Sequence, residues 1–164
     1  MQIVVLFGLP GSGKSFAGNV LKKYFNYYHY DGDADLPGDM KKAIRTQNVI
    51  TDSMRDSFFQ EIIENMKRLK SKHENIVVTQ TFIKEKYRQL FLREFPQARF
   101  ILAQTNSVLR EARLKQRKNY PLDLEYVRKM VLNFDLPQIK HSVINNDIDG
   151  DRSILKQLEE TLNV

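Results

Sequence analysis

The sequence predicts an α/β fold with three layers, in which helices cover both faces of a five-stranded, mostly parallel sheet. Two observations support this prediction. Short apolar runs typical of buried strands alternate with longer segments whose apolar residues recur at helical spacing. Such an alternation implies right-handed crossovers and therefore parallel strands. Ligands of sheets of this kind bind beyond the carboxyl ends of the strands.

The predicted elements follow one another along the whole chain. Strands are predicted at 3–7, 27–30, 76–78, 99–103 and 143–144. Helices are predicted at 15–25, 39–46, 53–72, 84–94, 107–118, 124–134 and 153–162. Ser53 and Asp56 have the spacing of a capping box at the start of the long helix 53–72. Because no linker, repeat or low-complexity segment interrupts this order, we expect a single domain over 1–164.

Composition and charge limit the possible functions. A chain of 164 residues with 41% hydrophobic and 28% charged residues has the composition of a soluble globular protein. We find no apolar run near the roughly 20 residues of a membrane span and no signal-peptide pattern, so we expect a cytoplasmic protein with no membrane partner. The absence of cysteine excludes disulfides and thiolate chemistry. The net charge of +6 suits anionic ligands, either nucleotide phosphates or nucleic acid.

Residues 8–15 match G-x-x-x-x-G-K-[ST], the pattern of the phosphate-binding P-loop. A buried strand precedes the segment and a helix follows it. Glycine lets backbone N–H groups turn toward a phosphate, and the helix N-terminus adds partial positive charge. Lys14 is expected to reach the β- and γ-phosphates of ATP, and the Ser15 hydroxyl to lie on Mg²⁺. The expected nucleotide-binding residues in this segment are Gly8, Pro10, Gly11, Ser12, Gly13, Lys14 and Ser15.

Three acidic residues follow the second predicted strand, at Asp31, Asp33 and Asp35. A kinase needs a carboxylate at this edge of the sheet to hold Mg²⁺ and to orient or deprotonate the attacking hydroxyl. The third strand ends in residues 79–81 without a carboxylate, so we expect Asp33 to be the catalytic residue and to hold the metal with Ser15. Asp31 is the alternative base, and a solvated turn is the structural alternative for the cluster.

A basic run predicts a lid at about 110–123. Its members are Arg110, Arg113, Lys115, Arg117 and Lys118, and the loop 119–121 follows them. Phosphoryl transfer needs cations that neutralise charge on the phosphates and a lid that excludes water. We expect Arg113 and Arg117 to close over the phosphates, as catalytic and nucleotide-binding residues. A solvated, charged helix face is the alternative.

A further basic set consists of Arg45, Arg55, Lys84 and Arg88. Arg55 and Lys84 lie near predicted helix starts, facing the expected ligand edge, where either could bind the acceptor. Asp31 and Asp35 are the acidic candidates for the same task. A surface position without function is the alternative for each of these residues.

Taken together, these segments resemble the small P-loop kinases of the gluconate kinase and shikimate kinase group. The resemblance covers nearly the whole chain, is closest in layout to the gluconate kinases, and rests on residues 8–15, 30–33, 50–55, 84–88 and 113–118. It implies a five-stranded parallel sheet with a lid and an ATP- and Mg²⁺-dependent phosphorylation of a small-molecule hydroxyl. The chain departs from the gluconate kinases at 79–82 and where their His-Pro pair is replaced by Asp35, Leu36 and Pro37, without a His.

These observations predict a Mg²⁺-dependent kinase that transfers the γ-phosphate of ATP to a sugar acid, a carbohydrate or a similar metabolite. Two alternatives remain at this point. One is a kinase of nucleotides or of polynucleotide 5′-hydroxyls, which the basic charge allows. The other is an ATP-binding regulator without activity, derived from a kinase, which the altered acceptor side suggests. The expected assembly is a monomer or a homodimer.

Overall fold

The computed structural model of the protein describes residues 1–117 and 123–163. Within these ranges the strands are β1 (Gln2–Phe7), β2 (Tyr28–Asp31), β3 (Asn75–Thr79), β4 (Arg99–Gln104) and β5 (His141–Asn145). They form one sheet in the order β2-β3-β1-β4-β5, and every neighbouring pair is parallel. The predicted α/β fold with a five-stranded parallel sheet is therefore confirmed.

The α-helices of the described residues occupy both faces of this sheet. They are α1 (Lys14–Phe25), α2 (Gly38–Arg45), α3 (Asp52–Lys70), α4 (Glu85–Glu94), α5 (Ser107–Gln116), α6 (Leu124–Leu132) and α7 (Asp151–Leu162). Each lies within a few residues of its predicted bounds. The predicted last residue of the helix 107–118 lies outside the described residues, as does the loop 119–121 that follows it.

Two local details differ from the sequence predictions. A 3₁₀ helix over Gly32–Asp35 follows β2, where the sequence predicted an acidic cluster with a solvated turn as the alternative. The cap of α3 is Thr51 rather than Ser53, because the Thr51 hydroxyl accepts a hydrogen bond from the backbone N–H of Met54 at 3.2 Å. Both differences arise from side-chain hydrogen bonds to nearby N–H groups, which compete closely among neighbouring Ser, Thr and Asp residues.

The core lies on both sides of β1, whose residues 3–7 have no exposed surface. On one face, Val5 belongs to a cluster that includes Phe59 of α3. On the other face, Val4 belongs to a cluster that includes Leu158 of α7. A strand that is covered on both faces has a continuous run of apolar residues, and this run identified β1 in the sequence.

The carboxyl ends of all five strands lie at one edge of the sheet. The glycine loop follows β1, the 3₁₀ helix follows β2, residues 80–83 follow β3, Thr105 follows β4 and Asn146 follows β5. This edge therefore brings together segments that are far apart in the chain. None of the helices in the described part of the chain has the length and apolar character needed to cross a bilayer.

Candidate active site

The glycine loop has a backbone conformation that depends on its glycines. Gly13 is the N-cap of α1 and has a φ of 87°. A Cβ at Gly13 would lie 1.6 Å from Nδ2 of Asn146, and one at Gly11 would lie 2.8 Å from the backbone oxygen of Arg110. Side chains at these positions would therefore be strained and would also collide with the segments that flank the loop. The loop can approach its neighbours, and a phosphate, only without side chains there.

The ends of β4 and β5 hold the loop in place. The hydroxyl of Thr105 donates to the backbone oxygen of Ser12 at 3.0 Å, and Nδ2 of Asn146 donates to the same oxygen at 3.3 Å. Asn146 is 3% exposed, so this amide is part of the interior. Neither residue was predicted from the sequence. The available signal was a run of polar residues after each of these predicted strands, at 104–106 and 145–147.

Two buried donor groups at the loop lack a hydrogen-bond partner among the described residues. One is the hydroxyl of Ser12, whose residue is 1% exposed, and the other is Nε of Arg110. A buried polar group without a partner costs about 1 to 3 kcal/mol, so such groups are expected to find one in a ligand. Together with the open glycine loop at a helix N-terminus, these donors fit an anion such as a polyphosphate.

Lys14 extends along the loop and is almost buried, with 9% of the residue exposed. Its Nζ donates to the backbone oxygen of Leu9 at 3.0 Å. Burial lowers the pKa of the Lys14 ammonium to about 8, and the nearby carboxylate of Asp33 partly opposes this shift. A phosphate would supply the negative charge that this position lacks, because burial of an ammonium is costly without a counter-ion.

Asp33 faces Lys14 across the site and is held by groups from two strand ends. The carboxylate of Asp31 caps the 3₁₀ helix by accepting from the backbone N–H of Asp33 at 3.1 Å. Nε2 of Gln80 donates to Oδ1 of Asp33 at 2.8 Å. Desolvation raises the pKa of the Asp33 carboxyl above its usual value, and the positive charge of Lys14 opposes that shift. A carboxylate with a raised pKa is a better proton acceptor at neutral pH.

A cavity of about 310 Å³ opens between these groups. Its charged lining residues, among those described, are Lys14, Asp33, Arg55, Arg113 and Arg117. Because α5 follows β4 and α3 follows β2, the two lid arginines and Arg55 approach the cavity from opposite sides of β1. Five of the charged side chains singled out in the sequence thus line one space.

The two predicted lid arginines are placed differently at this cavity. Arg113 is anchored, since Nη2 donates to the backbone oxygen of Asn146 at 2.9 Å and Nη1 to the Thr105 hydroxyl at 3.3 Å. Arg117 is the exposed C-cap of α5. Its charge is near enough to Lys14 and Asp33 to affect the pKa of both. The remainder of the predicted lid, 118–122, lies outside the described residues.

Other predicted residues are not in the cavity lining. The Asp35 carboxylate accepts hydrogen bonds from the Tyr30 hydroxyl and from the side-chain amide of Asn65. Nζ of Lys84 pairs with Oδ1 of Asp135 at 3.2 Å. Arg45 and Asp31 lie on the surface, whereas the side chain of Arg88 is fully buried and bonded to backbone oxygens.

A second, smaller cavity of about 230 Å³ adjoins the first on the side of β5. Gly13, Phe16 and Arg113 line both cavities. The remaining wall of the smaller cavity includes Asn146 and the largely exposed Ile148. The smaller cavity thus combines the Asn146 amide, the Arg113 guanidinium and apolar side chains with the exposed carboxylate of Asp149. Apolar surface with a few polar groups is typical of a small-molecule site, and a guanidinium can stack on a planar ring.

Comparisons with known proteins agree with this architecture. A family model described as AAA domain matches residues 3–137. A probable gluconokinase of Xenopus tropicalis is 23% identical over 169 residues, which cover 94% of this chain and 89% of the relative. An unliganded crystal structure of a sugar kinase from Janibacter sp. HTCC2649 superposes with a TM-score of 0.85 at 16% identity, covering 100% of this chain and 95% of that one.

A gluconokinase from Sinorhizobium meliloti 1021 has a TM-score of 0.79 at 23% identity, covering 99% of this chain and 91% of its own. The similarity to the gluconate kinase group, which residues 8–15, 30–33 and 113–118 indicated, is thus confirmed. The family model covers most of the chain, and the solved structures share all layers of the fold. The chain therefore belongs to the AAA domain family and has the fold of the small P-loop kinases.

Proposed function

We propose that the protein is a Mg²⁺-dependent kinase that transfers the γ-phosphate of ATP to a hydroxyl of a small metabolite. The resemblance to gluconate kinases favours sugar acids and carbohydrates as the class in which to begin the search. The observation that supports the proposal is a single cavity lined by Lys14, Ser15, Asp33, Arg113 and Arg117. These are the groups that phosphoryl transfer needs: phosphate-binding donors, a carboxylate and cations that stabilise shifting charge.

The nucleotide would lie along the glycine loop. The loop N–H groups and Lys14 would bind the β- and γ-phosphates, and the unpaired hydroxyl of Ser12 offers one more donor. The smaller cavity beside Arg113 and Ile148 would accept the base. Arg117, at the exposed end of α5, would close over the phosphates.

The residues present fit a magnesium ion. Among the described residues no cluster of three or more His, Cys, Asp and Glu side chains could form a complete protein cage. Mg²⁺ needs none, because it keeps several waters and binds through one or two protein oxygens plus substrate phosphates. Ser15 and Asp33 line the cavity and would hold it. When bound, the ion supplies positive charge that stabilises the negative charge on the phosphate oxygens.

Asp33 would act on the acceptor. Its carboxylate would accept the proton of the attacking hydroxyl as the acceptor oxygen bonds to the γ-phosphorus. The bond from that phosphorus to the β–γ bridging oxygen breaks, and ADP leaves with the electron pair. Gln80 keeps the carboxylate in position during this step. Lys14 and the lid arginines would neutralise the charge that develops on ADP.

A coupled assay of ADP release tests the proposal. The protein would be incubated with ATP and Mg²⁺ and a panel of sugars, sugar acids and nucleosides. We expect one acceptor class to stimulate ADP release, and we expect Lys14→Ala to abolish the stimulation. Lys22→Ala, at an exposed position of the same helix, is the matched control and should retain it.

The same experiments separate the alternatives. Binding of a non-hydrolysable ATP analogue without stimulation by any compound would favour the nucleotide-binding regulator. Phosphorylation of a nucleoside, or binding of a labelled oligonucleotide that weakens steeply with salt, would favour a kinase of nucleotides or polynucleotides.

A further inference from the structure

The part of the cavity beyond Asp33 is mainly apolar. On the β2 side, the lining includes Leu36, Met40, Ile44, Ile50 and aromatic residues of α3, together with Ile83 and Met130. Two side chains with hydroxyl groups, Thr81 and Tyr126, also line the cavity. Arg55 is the single charged side chain that the described residues contribute on this side. Gln80 is the neighbouring amide, and its side chain is already bonded to Asp33 and to the backbone N–H of Thr81. Among the described residues, hydrocarbon side chains thus outnumber hydrogen-bonding groups on this side of the cavity.

The local sequence after β2 produces this apolar wall. The carboxylate of Asp35 is turned to the Tyr30 hydroxyl and the Asn65 amide, so it does not enter the lining. Leu36, the next residue, lines the cavity instead. The position at which the chain departs from the gluconate kinases therefore contributes a hydrocarbon surface where an acceptor would lie.

The guanidinium of Arg55 is held in position at the wall of the cavity. Nη1 donates to the backbone oxygen of Ile50 at 3.0 Å and lies 3.7 Å from the carboxylate of Asp52. The Asp52 side chain is 80% exposed, so water weakens this pairing. Both contacts involve Nη1 alone, and 21% of the Arg55 side chain is exposed. A carboxylate in the cavity could be bound by the planar fork of this side chain.

We propose that the acceptor is an alcohol with an apolar body and one anionic group, which Arg55 binds, rather than a polyhydroxylated sugar acid. This inference rests on the proposed function, because it assigns the acceptor of the same site. The hydroxyl lies at Asp33, the apolar body contacts Leu36, Met40 and Ile83, and the anionic group lies at Arg55. A sugar acid would place several hydroxyls against hydrocarbon, where each unpaired hydroxyl is penalised.

A matched pair of ligands tests this inference. Gluconate and 6-hydroxyhexanoate share the same carbon chain, a carboxylate at one end and a hydroxyl at the other, but gluconate has further hydroxyls between them. Binding of each would be measured by calorimetry with the ATP analogue AMPPNP present. We expect 6-hydroxyhexanoate to bind at least about tenfold more tightly than gluconate. Equal or tighter binding of gluconate would overturn the inference, as would the absence of binding by 6-hydroxyhexanoate.

Arg55→Met tests the anionic contact. We expect this variant to bind 6-hydroxyhexanoate at least about tenfold more weakly. It should bind 1,6-hexanediol, which lacks the carboxylate, as the unaltered protein does. Arg45→Met, at an exposed position outside the cavity, is the control and should change neither affinity. Unaltered AMPPNP binding by Arg55→Met verifies that the variant is folded, and equal losses for both ligands would contradict the assigned contact.

Measuring binding and phosphorylation separately distinguishes a failure of the acceptor inference from a failure of the proposed kinase function. If 6-hydroxyhexanoate binds with the expected preference but is not phosphorylated, the inference about the cavity stands and the proposed kinase function fails. If ADP release is stimulated by gluconate and not by 6-hydroxyhexanoate, the kinase function stands and the inference fails. If AMPPNP itself does not bind, the proposed function fails, and the two acceptors are compared without it.

Discussion

The side-chain amide of Gln80 donates a hydrogen bond to the carboxylate of Asp33 at 2.8 Å. This bond connects the end of β3 to the 3₁₀ helix that follows β2. Its Oε1 accepts from the backbone N–H of Thr81, which fixes the orientation of the amide. Gln80 is 5% exposed, whereas Asp33 is exposed, so only the Gln80 side of this contact is buried. The residue after β3 is therefore a neutral donor to Asp33, and Asp33 is the carboxylate that lines the cavity among the described residues.

We expect Gln80→Leu to alter the proton affinity of Asp33. The hydrogen bond from Gln80 lowers the pKa of Asp33 and thereby offsets part of the increase that desolvation causes. Its loss should raise that pKa, so the acidic limb of the kcat profile should move to higher pH. Gln60→Leu, on the exposed side of α3, is the control. A lower kcat with an unmoved acidic limb would assign Gln80 a purely structural role.

Asp33→Asn should separate chemistry from binding. The amide retains the size of the carboxylate and can still accept from Gln80, but it cannot take up the proton of an acceptor. We expect kcat to fall by about 10²- to 10⁴-fold, with the melting temperature and the affinity for AMPPNP in the absence of Mg²⁺ nearly unchanged. Steady-state kinetics and calorimetry would measure these quantities, with Asp39→Asn as an exposed control. Turnover like that of the unaltered protein would remove Asp33 from the mechanism.

The fold could be predicted because its main signals are local. The apolar run of β1 is buried on both faces, and the glycine loop lies between this strand and α1. Each signal is contained in a few consecutive residues, and parallel topology follows from their alternation. The same locality made Lys14 and Ser15 recognisable, since the P-loop pattern fixes their positions relative to the helix start.

The residues that complete the site could not be predicted in the same way. Ser12 and Asn146 are 134 residues apart, and Asp33 and Gln80 are 47 residues apart. A single Asn or Gln after a strand has many possible partners, and its contact becomes defined only when the neighbouring strands are in register. Side-chain direction is equally non-local: the carboxylates of Asp33 and Asp35 are two residues apart, but only Asp33 lines the cavity.

The pKa of Lys14 predicts how nucleotide affinity depends on pH. In the free protein this ammonium loses its proton near pH 8 because it is buried. Bound phosphates favour the charged form and raise that pKa, so binding is tightest below about pH 8 and takes up a proton above it. We expect the affinity for AMPPNP to fall by up to about tenfold per pH unit above pH 8.

Calorimetry in two buffers that differ in ionisation enthalpy measures this proton uptake directly. Lys14→Arg keeps its charge throughout the range, so its affinity should vary little with pH even if it is weaker overall. Lys22→Arg, at an exposed position of α1, should retain the full pH dependence. A pH-independent affinity in the unaltered protein would show that Lys14 is charged throughout.

Gly13 and Gly38 form a matched pair for testing the glycine loop. A Cβ at Gly13 would combine a φ of 87° with a contact of 1.6 Å to Asn146, whereas a Cβ at Gly38 would meet nothing within 4 Å. We expect Gly13→Ala to abolish AMPPNP binding and to lower the melting temperature. Gly38→Ala, at the first residue of α2, should leave binding unchanged and stabilise the protein slightly, because alanine favours helix. Normal nucleotide binding by Gly13→Ala would contradict the loop geometry.

We predict that Arg88 stabilises the fold and does not bind the substrate. Its guanidinium donates to the backbone oxygens of Phe82 and Asp135, each at 2.9 Å, and to the carboxylate of Glu85 at 2.8 Å. Phe82 has a φ of 48°, an uncommon conformation for a residue with a side chain, and its carbonyl is held by this contact. Arg88 also lies over the rings of Phe7 and Phe134, and it has no exposed side-chain surface.

Arg88→Met would remove the donor to the backbone oxygens of Phe82 and Asp135 and to one oxygen of the Glu85 carboxylate. We expect the free energy of unfolding to fall by about 3 to 5 kcal/mol, as is typical when one partner of a buried ion pair is removed. Denaturant titration would measure the loss, and Arg93→Met at an exposed position of the same helix should change it by less than about 0.5 kcal/mol. Below its own melting temperature, Arg88→Met should still bind AMPPNP, since Arg88 does not line the cavity. If Arg88→Met kept its stability but lost acceptor binding, the result would show that Arg88 contributes to substrate binding.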